Sequence, residues 1–245
     1  MIKLIILCTK AIVVAIVALL FASCNGNFNI GVKGNGKVKS ETRKITEKFT
    51  KIEANDGLNV TIEQSNTTQI VVEADENLLK LIETKVENGV LVMSTKKQIG
   101  NYEKLTISVK MPIIESLTSE SGSSLKTINT IKGTKIQLES SSGSNLNATI
   151  SYDVVEATSS SGSQLNIEGI ALKLETSSDS GSNLNAEKLT ANEVVSNADS
   201  GSETKVNPKV SLKADANSGG SILYKNEPKS INKTEDSGGS ISKQD

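Results

Sequence analysis

The sequence predicts an all-β fold, a parallel β-solenoid (β-helix) of about 19 residues per coil. The first observation is a recurring Ser-Gly-Ser motif, written Ser-Gly-Gly-Ser in the last two repeats, whose first glycines are Gly122, Gly143, Gly162, Gly181, Gly201, Gly219 and Gly238. The second is alternation of apolar and polar residues around each glycine, which is the period of a β-strand. The third is a leucine three residues after the glycine in the first four repeats. A Ser/Gly linker would share this composition but would not hold leucine at a fixed phase.

Equivalent positions of a solenoid stack about 4.8 Å apart, so each repeated residue forms a column. An apolar core is predicted from the leucines Leu125, Leu146, Leu165 and Leu184 and from Ile136, Val155, Leu174 and Val194 seven residues before each glycine. The serines three and one residue before the glycine are predicted to point inward: Ser140, Ser142, Ser159, Ser161, Ser178 and Ser180. Their hydroxyls would hydrogen-bond along the column, and the glycine would allow a corner with positive φ.

The domain predicted over residues 45–243 has two parts, an irregular β-rich cap over 45–115 and the repeats over 116–243. Alternating residues predict cap strands at 49–54, 57–63, 69–74, 89–94 and 104–110. The apolar run over residues 75–84 predicts one short helix with Asp75 as its N-cap. A solenoid needs such a cap because an open strand edge invites aggregation.

The first residues predict an exported lipoprotein, with a signal peptide over residues 1–23. Lys3 and Lys10 give a positive start, and the uncharged run over residues 11–22 is too short to span a bilayer. The segment 21–24, Phe-Ala-Ser-Cys, resembles the bacterial lipobox, which implies cleavage between Ser23 and Cys24 and acylation of Cys24. The alternatives are an ordinary secretory signal or an N-terminal anchor with incidental cysteines. Residues 24–44 are rich in Gly and Asn at their start and are predicted to form a flexible tether.

Composition excludes several classes of function. With 27 Lys and Arg against 28 Asp and Glu, the chain is not a strongly basic nucleic-acid binder. His and Trp are absent and aromatic residues make up 2%, which excludes a histidine-based triad, a His-ligated metal and an aromatic stacking platform. No cofactor and no nucleic-acid partner are therefore expected, and the membrane is the expected partner through Cys24.

Two sets of outward side chains are candidates for function. A polar ladder that could contact a repetitive glycan or protein ligand consists of Asn145, Asn147, Gln164, Asn166, Asn183 and Asn185. Asp179 and Asp199 should lie one coil apart, where they could bind Ca²⁺ or act as the carboxylate pair of a polysaccharide-processing enzyme. In both cases a solvated polar face is the simpler interpretation, and the scarcity of aromatic residues argues against sugar hydrolysis.

Three features resemble the bacterial family described as putative auto-transporter adhesin, head GIN domain. They are the opening Phe49-x-x-Ile-Glu-Ala-x-x-Gly57-Leu-Asn-Val-Thr-Ile, the pair Ala74-Asp-Glu-Asn-Leu-Leu and Val86-x-x-Gly89-Val-Leu, and the Ser-Gly-Ser array. The resemblance covers residues 45–240 and implies an exported or lipid-anchored envelope protein with a β-helical fold and no catalytic motif. The expected location is the cell envelope, lipid-anchored at the outer membrane. The expected function is a non-enzymatic adhesin or a rod that binds a glycan or protein. The alternatives are a Ca²⁺-dependent or polysaccharide-processing β-helix and a structural periplasmic scaffold.

Overall fold

A computed structural model describes residues 31–244, and over this range the chain forms a parallel β-solenoid of about seven coils, as predicted. All its strands belong to one continuous sheet. They are β1 (Val38–Arg43), β2 (Lys51–Ala54), β3 (Asn59–Gln64), β4 (Gln69–Asp75), β5 (Ile82–Glu87), β6 (Val90–Thr95), β7 (Leu105–Met111), β8 (Ser116–Ser119), β9 (Ser124–Thr127), β10 (Ile131–Ser140), β11 (Asn145–Ser159), β12 (Gln164–Ser178), β13 (Asn183–Ala198), β14 (Glu203–Ala216), β15 (Ser221–Tyr224), β16 (Ser230–Glu235) and β17 (Ser240–Lys243). The helical element within this range is a 3-10 turn, Leu79–Leu81.

Each central coil is one long strand, as in β11 and β12, which have 15 residues each. Strands β11 and β12 pair in parallel from Asn145 with Gln164 to Ser159 with Ser178. Neighbouring coils have nearly equal length, so their hydrogen bonds stay in register around the bends. The Ser-Gly turn is therefore the point where each of these strands breaks.

The predicted apolar columns form the core. Leu146, Leu165 and Leu184 are fully buried and stand opposite one another in adjacent strands. Val155, Leu174 and Val194 make a second stacked column on the other side of the coil. Burying a Leu or Val side chain stabilises a fold by about 1.5–3 kcal/mol. The repeated columns thus supply the stability of an array whose described residues contain no disulfide.

The Ser-Gly motif is a tight turn in which both central residues have left-handed φ. Ser142 has φ 54° and Gly143 has φ 69°, as in a type I′ turn, and the amide of Ser144 donates to the carbonyl of Ser141 at 3.2 Å. The prediction that the serine just before the glycine points inward is wrong, because Ser142, Ser161 and Ser180 are exposed turn residues. The prediction holds for Ser140, Ser159 and Ser178, which are buried.

A second buried serine follows each of the first five repeat glycines, and the sequence analysis missed it. Ser163 illustrates the arrangement: its hydroxyl donates to the carbonyl of Ser140 in the preceding coil at 2.6 Å. Equivalent bonds link Ser144 to Ser119 at 2.5 Å and Ser182 to Ser159 at 2.7 Å. The serine column therefore hydrogen-bonds successive coils to one another inside the fold.

The order of coils along the axis differs from their order along the chain. Strands β2 and β3 pair with β8 and β9 on one side and with β6 and β7 on the other. The coil with β2 and β3 is therefore first in the chain but second along the axis. The coil with β6 and β7 is outermost, and the array continues from β8 and β9 on the other side of β2 and β3.

Antiparallel strands pair with the outermost coil, which contains β6 and β7. Strand β5 pairs with β6, β4 pairs with β7, and β1 pairs with β4, all antiparallel. Strand β1 is largely exposed and carries alternating charged residues. Charged, solvent-facing edge strands resist pairing with another chain, so this region acts as the predicted cap.

The prediction of a flexible tether over residues 24–44 is wrong for its described part. Val32 bridges Ile99, and β1 joins the sheet. The glycines serve close approach rather than mobility, because a Cβ on Gly34 would lie 2.0 Å from a carboxylate oxygen of Asp75. The amide of Gly36, at φ 71°, donates to that same oxygen at 2.8 Å.

The short helix predicted over residues 75–84 is present as the 3-10 turn Leu79–Leu81, but the prediction that Asp75 is its N-cap is wrong. Asp75 ends strand β4, and Leu78 is the residue before the turn, without a side-chain cap. Leu78, Leu79, Leu81 and Ile82 all bury their side chains. A single turn followed by the start of β5 is enough to bury all four. Asp75 is fully enclosed and accepts backbone amides from Gly36, Glu103 and Lys104.

The predicted signal peptide, with Ser23 and Cys24, lies outside the described residues. Within residues 31–244, no helix has the length and apolar character needed to cross a membrane.

Candidate functional site

The candidate site is a surface groove of about 320 Å³ that runs across four coils. Three asparagines of the predicted ladder lie in it, at equivalent positions of β11, β12 and β13. We call this feature the amide groove, and its lining residues are Lys126, Thr127, Asn147, Ala148, Thr149, Asn166, Ile167, Glu168, Asn185 and Lys188. Ala148 and Ile167 are buried residues of this set.

Strand alternation places the three asparagines on the outer face. Leu165 and Ile167 point into the core on either side of Asn166, so Asn166 faces outward and is half-buried in the groove. Strand β13 carries one more residue than β12 just after this position, and the pairing shifts there. The amide of Glu187 donates to Asn185 Oδ1 at 3.1 Å, which stabilises the bulge.

The asparagine side chains are partly bonded to one another. Asn166 Nδ2 donates to Asn147 Oδ1 at 3.0 Å, and Asn147 Nδ2 donates to Asn145 Oδ1 at 2.6 Å. Among residues 31–244, Asn166 Oδ1 and Asn185 Nδ2 have no hydrogen-bond partner. The groove therefore offers a fixed acceptor and a fixed donor on neighbouring coils to a ligand.

Charged side chains of both signs flank these amides. Lys126 and Lys188 are exposed at different ends of the groove. Glu168 stands opposite Lys188 in the sheet and accepts the Thr149 hydroxyl at 2.8 Å. The groove can thus donate and accept hydrogen bonds along its whole length, without a concentration of one charge.

The remaining ladder residues, Asn145, Gln164 and Asn183, lie beside the groove rather than in it. Asn145 Nδ2 contacts Gln164 Oε1 at 3.5 Å, and Asn183 Nδ2 donates to Glu203 Oε1 at 3.2 Å. The structure therefore divides the predicted ladder into three groove residues and three residues of an adjacent column.

Asp179 and Asp199 lie in adjacent coils, as the spacing predicts, since the Asp199 amide donates to the carbonyl of Ser178. They line a shallow surface together with Asp215 and several Ser and Asn residues. Hydrogen bonds from Ser200 and Ser218 lower the pKa of Asp199. An acid catalyst needs a raised pKa, so this carboxylate does not suit that role. In the described part of the chain, no three acidic, Cys or His residues cluster to hold a metal ion.

Sequence reasoning missed Lys126, Lys188, Thr149 and Glu168 as groove residues. The outward phase of Lys126 was visible in the repeat, because it occupies the same position as the asparagines. Lys188 and Glu168 meet only because of the extra residue in β13, and a fixed repeat gives no such shift.

A family model described as "Putative auto-transporter adhesin, head GIN domain" matches residues 48–228, well over half of the chain. The chain belongs to this head GIN domain family. The match begins just before β2 and ends beyond β15, so it includes the cap coils, the amide groove and most of the repeats. No curated protein matches the chain.

Solved structures similar to this head GIN protein share its fold at low identity. A putative adhesin from Bacteroides fragilis is 22% identical with a TM-score of 0.80, over 87% of this chain and 100% of the other. A putative lipid binding protein from Parabacteroides distasonis is 20% identical with a TM-score of 0.74, over 87% and 99%. A putative adhesin from Parabacteroides merdae is 19% identical with a TM-score of 0.69, over 88% and 100%. At these identities the likeness establishes the fold.

Proposed function

We propose that this protein is a non-enzymatic, lipid-anchored protein of the cell envelope whose solenoid binds a glycan chain in the amide groove. The observation that carries the proposal is a pair of amide atoms in the groove, Asn166 Oδ1 and Asn185 Nδ2, that have no hydrogen-bond partner among the described residues. Both atoms are accessible to solvent, so a ligand hydroxyl can replace water at each of them.

The groove chemistry favours a sugar over an apolar ligand. A sugar ring presents hydroxyls that both donate and accept hydrogen bonds, which matches the mixed amide, hydroxyl and charged lining. Stacked coils repeat about every 4.8 Å, so equivalent amides recur along the groove and suit an extended, repetitive polymer. Because aromatic side chains do not line the groove, binding would rest on hydrogen bonds rather than on ring stacking.

A glycan array probed with the purified full-length chain tests the groove. The test variant replaces Asn147, Asn166 and Asn185 by Ala, and we expect it to lose at least tenfold in affinity for any glycan that the wild type binds. The control variant replaces Thr158, Ser177 and Asn197 by Ala, an outward column of the same three strands on another face. Equal binding by both variants, with unchanged melting temperatures, would refute the groove as the binding site.

The lipobox-like segment that ends at Cys24 supports the lipid anchor. Membership of the head GIN domain family, whose description names an adhesin, supports the envelope location. Replacing Cys24 by Ala should leave the chain unprocessed or release it from the membrane fraction. Normal processing and normal retention of this variant would contradict lipid attachment.

Protease shaving of intact cells separates an adhesin from a scaffold. Loss of the solenoid with a periplasmic control intact would support adhesion or glycan capture outside the cell. Protection that ends on permeabilisation would instead support a scaffold or partner-binding role in the periplasm. Digestion in lysate must be shown first, because a folded solenoid can itself resist the protease.

A Ca²⁺-dependent role of Asp179 and Asp199 is tested separately by melting with and without EDTA. We expect no shift, because the described carboxylates do not form a cluster of three. A melting temperature lowered by EDTA would contradict this expectation and support Ca²⁺ binding by Asp179 and Asp199.

A further inference from the structure

A second groove, of about 540 Å³, lies in the cap and has a different chemistry. We call it the cap groove. It is built from the end of β1, the 3-10 turn, β5 and the residue after β6. Five cationic side chains line it, Arg43, Lys44, Lys80, Lys85 and Lys96, against two carboxylates, Glu41 and Glu83.

The two carboxylates do not neutralise the five cations. Glu83 is shared, because Lys85 Nζ lies 3.2 Å and Lys96 Nζ 3.5 Å from the same oxygen, and these contacts lower the pKa of Glu83. Glu41 pairs with the arginine of the groove at 2.9 Å. In the described chain, Lys44 and Lys80 form no ion pair with a carboxylate, and both are exposed. The groove keeps an excess of three positive charges.

This excess belongs to one end of the molecule. Over residues 33–51 the sequence has seven basic and two acidic residues, whereas the chain as a whole is nearly neutral. Strand β1, within this segment, forms the outer edge of the cap. The segment that contains β1 is therefore basic, on a protein with no general positive charge.

The same segment follows the proposed anchor closely in sequence. The backbone amide of Val32 donates a hydrogen bond to the Gln98 carbonyl at 2.8 Å, which fixes Val32 to the cap. Gln98 lies two residues after Lys96. Eight residue steps separate Cys24 from Val32, which at full extension span about 27 Å. This span is the largest distance that the chain allows between Val32 and an acylated Cys24.

We propose that the cap groove binds the phosphate groups of anionic membrane phospholipids and holds the cap against the bilayer. This inference rests on the proposed lipid anchor for its geometry and on the charge excess for its ligand. Lys and Arg side chains form charge-assisted hydrogen bonds with phosphate oxygens, and an anionic surface attracts cations within a Debye length of about 8–10 Å. Membrane contact here would leave the amide groove, on later coils, free to bind its ligand.

The test uses the full-length chain in vesicles of phosphatidylcholine alone or mixed with phosphatidylglycerol in about a three-to-one ratio. A neutral acylating ester modifies accessible lysines, and mass spectrometry gives the rate at each one. We expect acylation of Lys44, Lys80 and Lys85 to slow at least fivefold in the anionic vesicles and to recover in high salt. Lys209, Lys213 and Lys229 on later coils are exposed internal controls, and their rates should not change.

Matched variants separate the groove from charge in general. We expect contact with anionic vesicles to slow hydrogen exchange of the β1 amides, relative to vesicles of phosphatidylcholine alone. Replacing Lys44, Lys80 and Lys85 by Ser should abolish this protection. Replacing Lys209, Lys213 and Lys229 by Ser removes the same charge elsewhere and should leave that protection intact. Equal rates in both kinds of vesicle, or equal loss of protection in both variants, would overturn the proposal.

Two further arms identify the ligand source and the role of the anchor. Protection by inorganic phosphate in vesicles of phosphatidylcholine alone would show a site for free phosphate and overturn the lipid assignment. Flotation with vesicles of phosphatidylcholine alone measures membrane binding through the lipid anchor, because these vesicles offer no anionic lipid to the cap groove. Failure to float there would contradict the proposed anchor, whereas absence of the phosphatidylglycerol-dependent change would contradict the cap groove.

Discussion

Removal of the Ser163 hydroxyl tests whether the buried serine column holds the coils together. This hydroxyl donates to the Ser140 carbonyl at 2.6 Å and shares a hydrogen bond with the Ser159 hydroxyl at 3.0 Å. It also accepts the amide of Ser160 at 3.1 Å. The Ser163→Ala substitution loses all three bonds without changing the apolar columns.

The expected loss follows from these three bonds. The Ser160 amide keeps a second bond to the Ser140 carbonyl at 3.0 Å, so neither backbone group is left without a partner. Each lost bond then costs its net contribution of about 1 kcal/mol, for a total of about 2–3 kcal/mol. For a chain of this length, that is a fall in melting temperature of about 5–10 °C.

The Ser159→Ala variant is the matched control from the same turn. Ala54, Ala198 and Ala216 occupy the equivalent buried position in other coils, so the fold already tolerates alanine there. This variant loses mainly the shared bond with Ser163, and we expect a cost of about 1 kcal/mol.

Urea unfolding, followed by circular dichroism, measures both variants against the wild type. The slope with denaturant must be compared as well, because repeat arrays can lose two-state behaviour. Equal stability of the two variants, or no loss for Ser163→Ala, would refute the view that this hydroxyl links adjacent coils.

Three other predictions concern the core, the cap and a bend. Leu165→Asp should unfold the array, because it places an unpaired charge in a stacked apolar column, and native-like circular dichroism would contradict the inward assignment. The enclosed carboxylate of Asp75 is desolvated, which raises its pKa, but three backbone amides outweigh this and leave the pKa lowered. Stability from this group should persist above about pH 4 and fade as pH falls through the lowered value, so Asp75→Asn should weaken the protein at pH 7 and flatten its acid unfolding curve. Gly169→Ala should cost more than Gly162→Ala in a thermal melt, because a Cβ on Gly169 would lie 1.9 Å from a carbonyl oxygen of the preceding coil, whereas Gly162 has open space; equal costs would contradict the close approach.

The repeats were predictable because the information is local and periodic. Leucine three residues after each of the first four repeat glycines indicated both the strand phase and the inward face, and the structure confirms this at Leu146, Leu165 and Leu184. The turn was less visible, since left-handed φ at a serine is unusual and only the Ser-Gly pair, taken as a type I′ turn, would have indicated it. The error placed Ser142 inside and missed Ser144.

The cap was less predictable because its decisive contacts are distant in sequence. The Gly and Asn residues around Gly34 have the composition of a linker, yet they pack against Asp75, about forty residues away. Strand β5 was missed although Asn88-Gly89, with φ 51° and 79°, is a common hairpin signal between β5 and β6.

The candidate site was predicted in part. Alternation identified Asn147, Asn166 and Asn185 as outward residues of one ladder, and the structure places them in one groove. The groove also depends on a shift in strand pairing caused by one extra residue before Lys188, and a regular repeat cannot reveal it. The cap groove was not predicted, because its cations come from four separate segments.

The insertion of β2 and β3 between coils made by later residues bears on how the array could change in length. Those two strands precede β6 to β9 in the chain, yet their hydrogen bonding on both sides needs all four of them. From β10 onward, each strand pairs with the coil made by the residues just before it. A whole coil added to or removed from this later array would therefore leave the pairings of β2 and β3 unchanged.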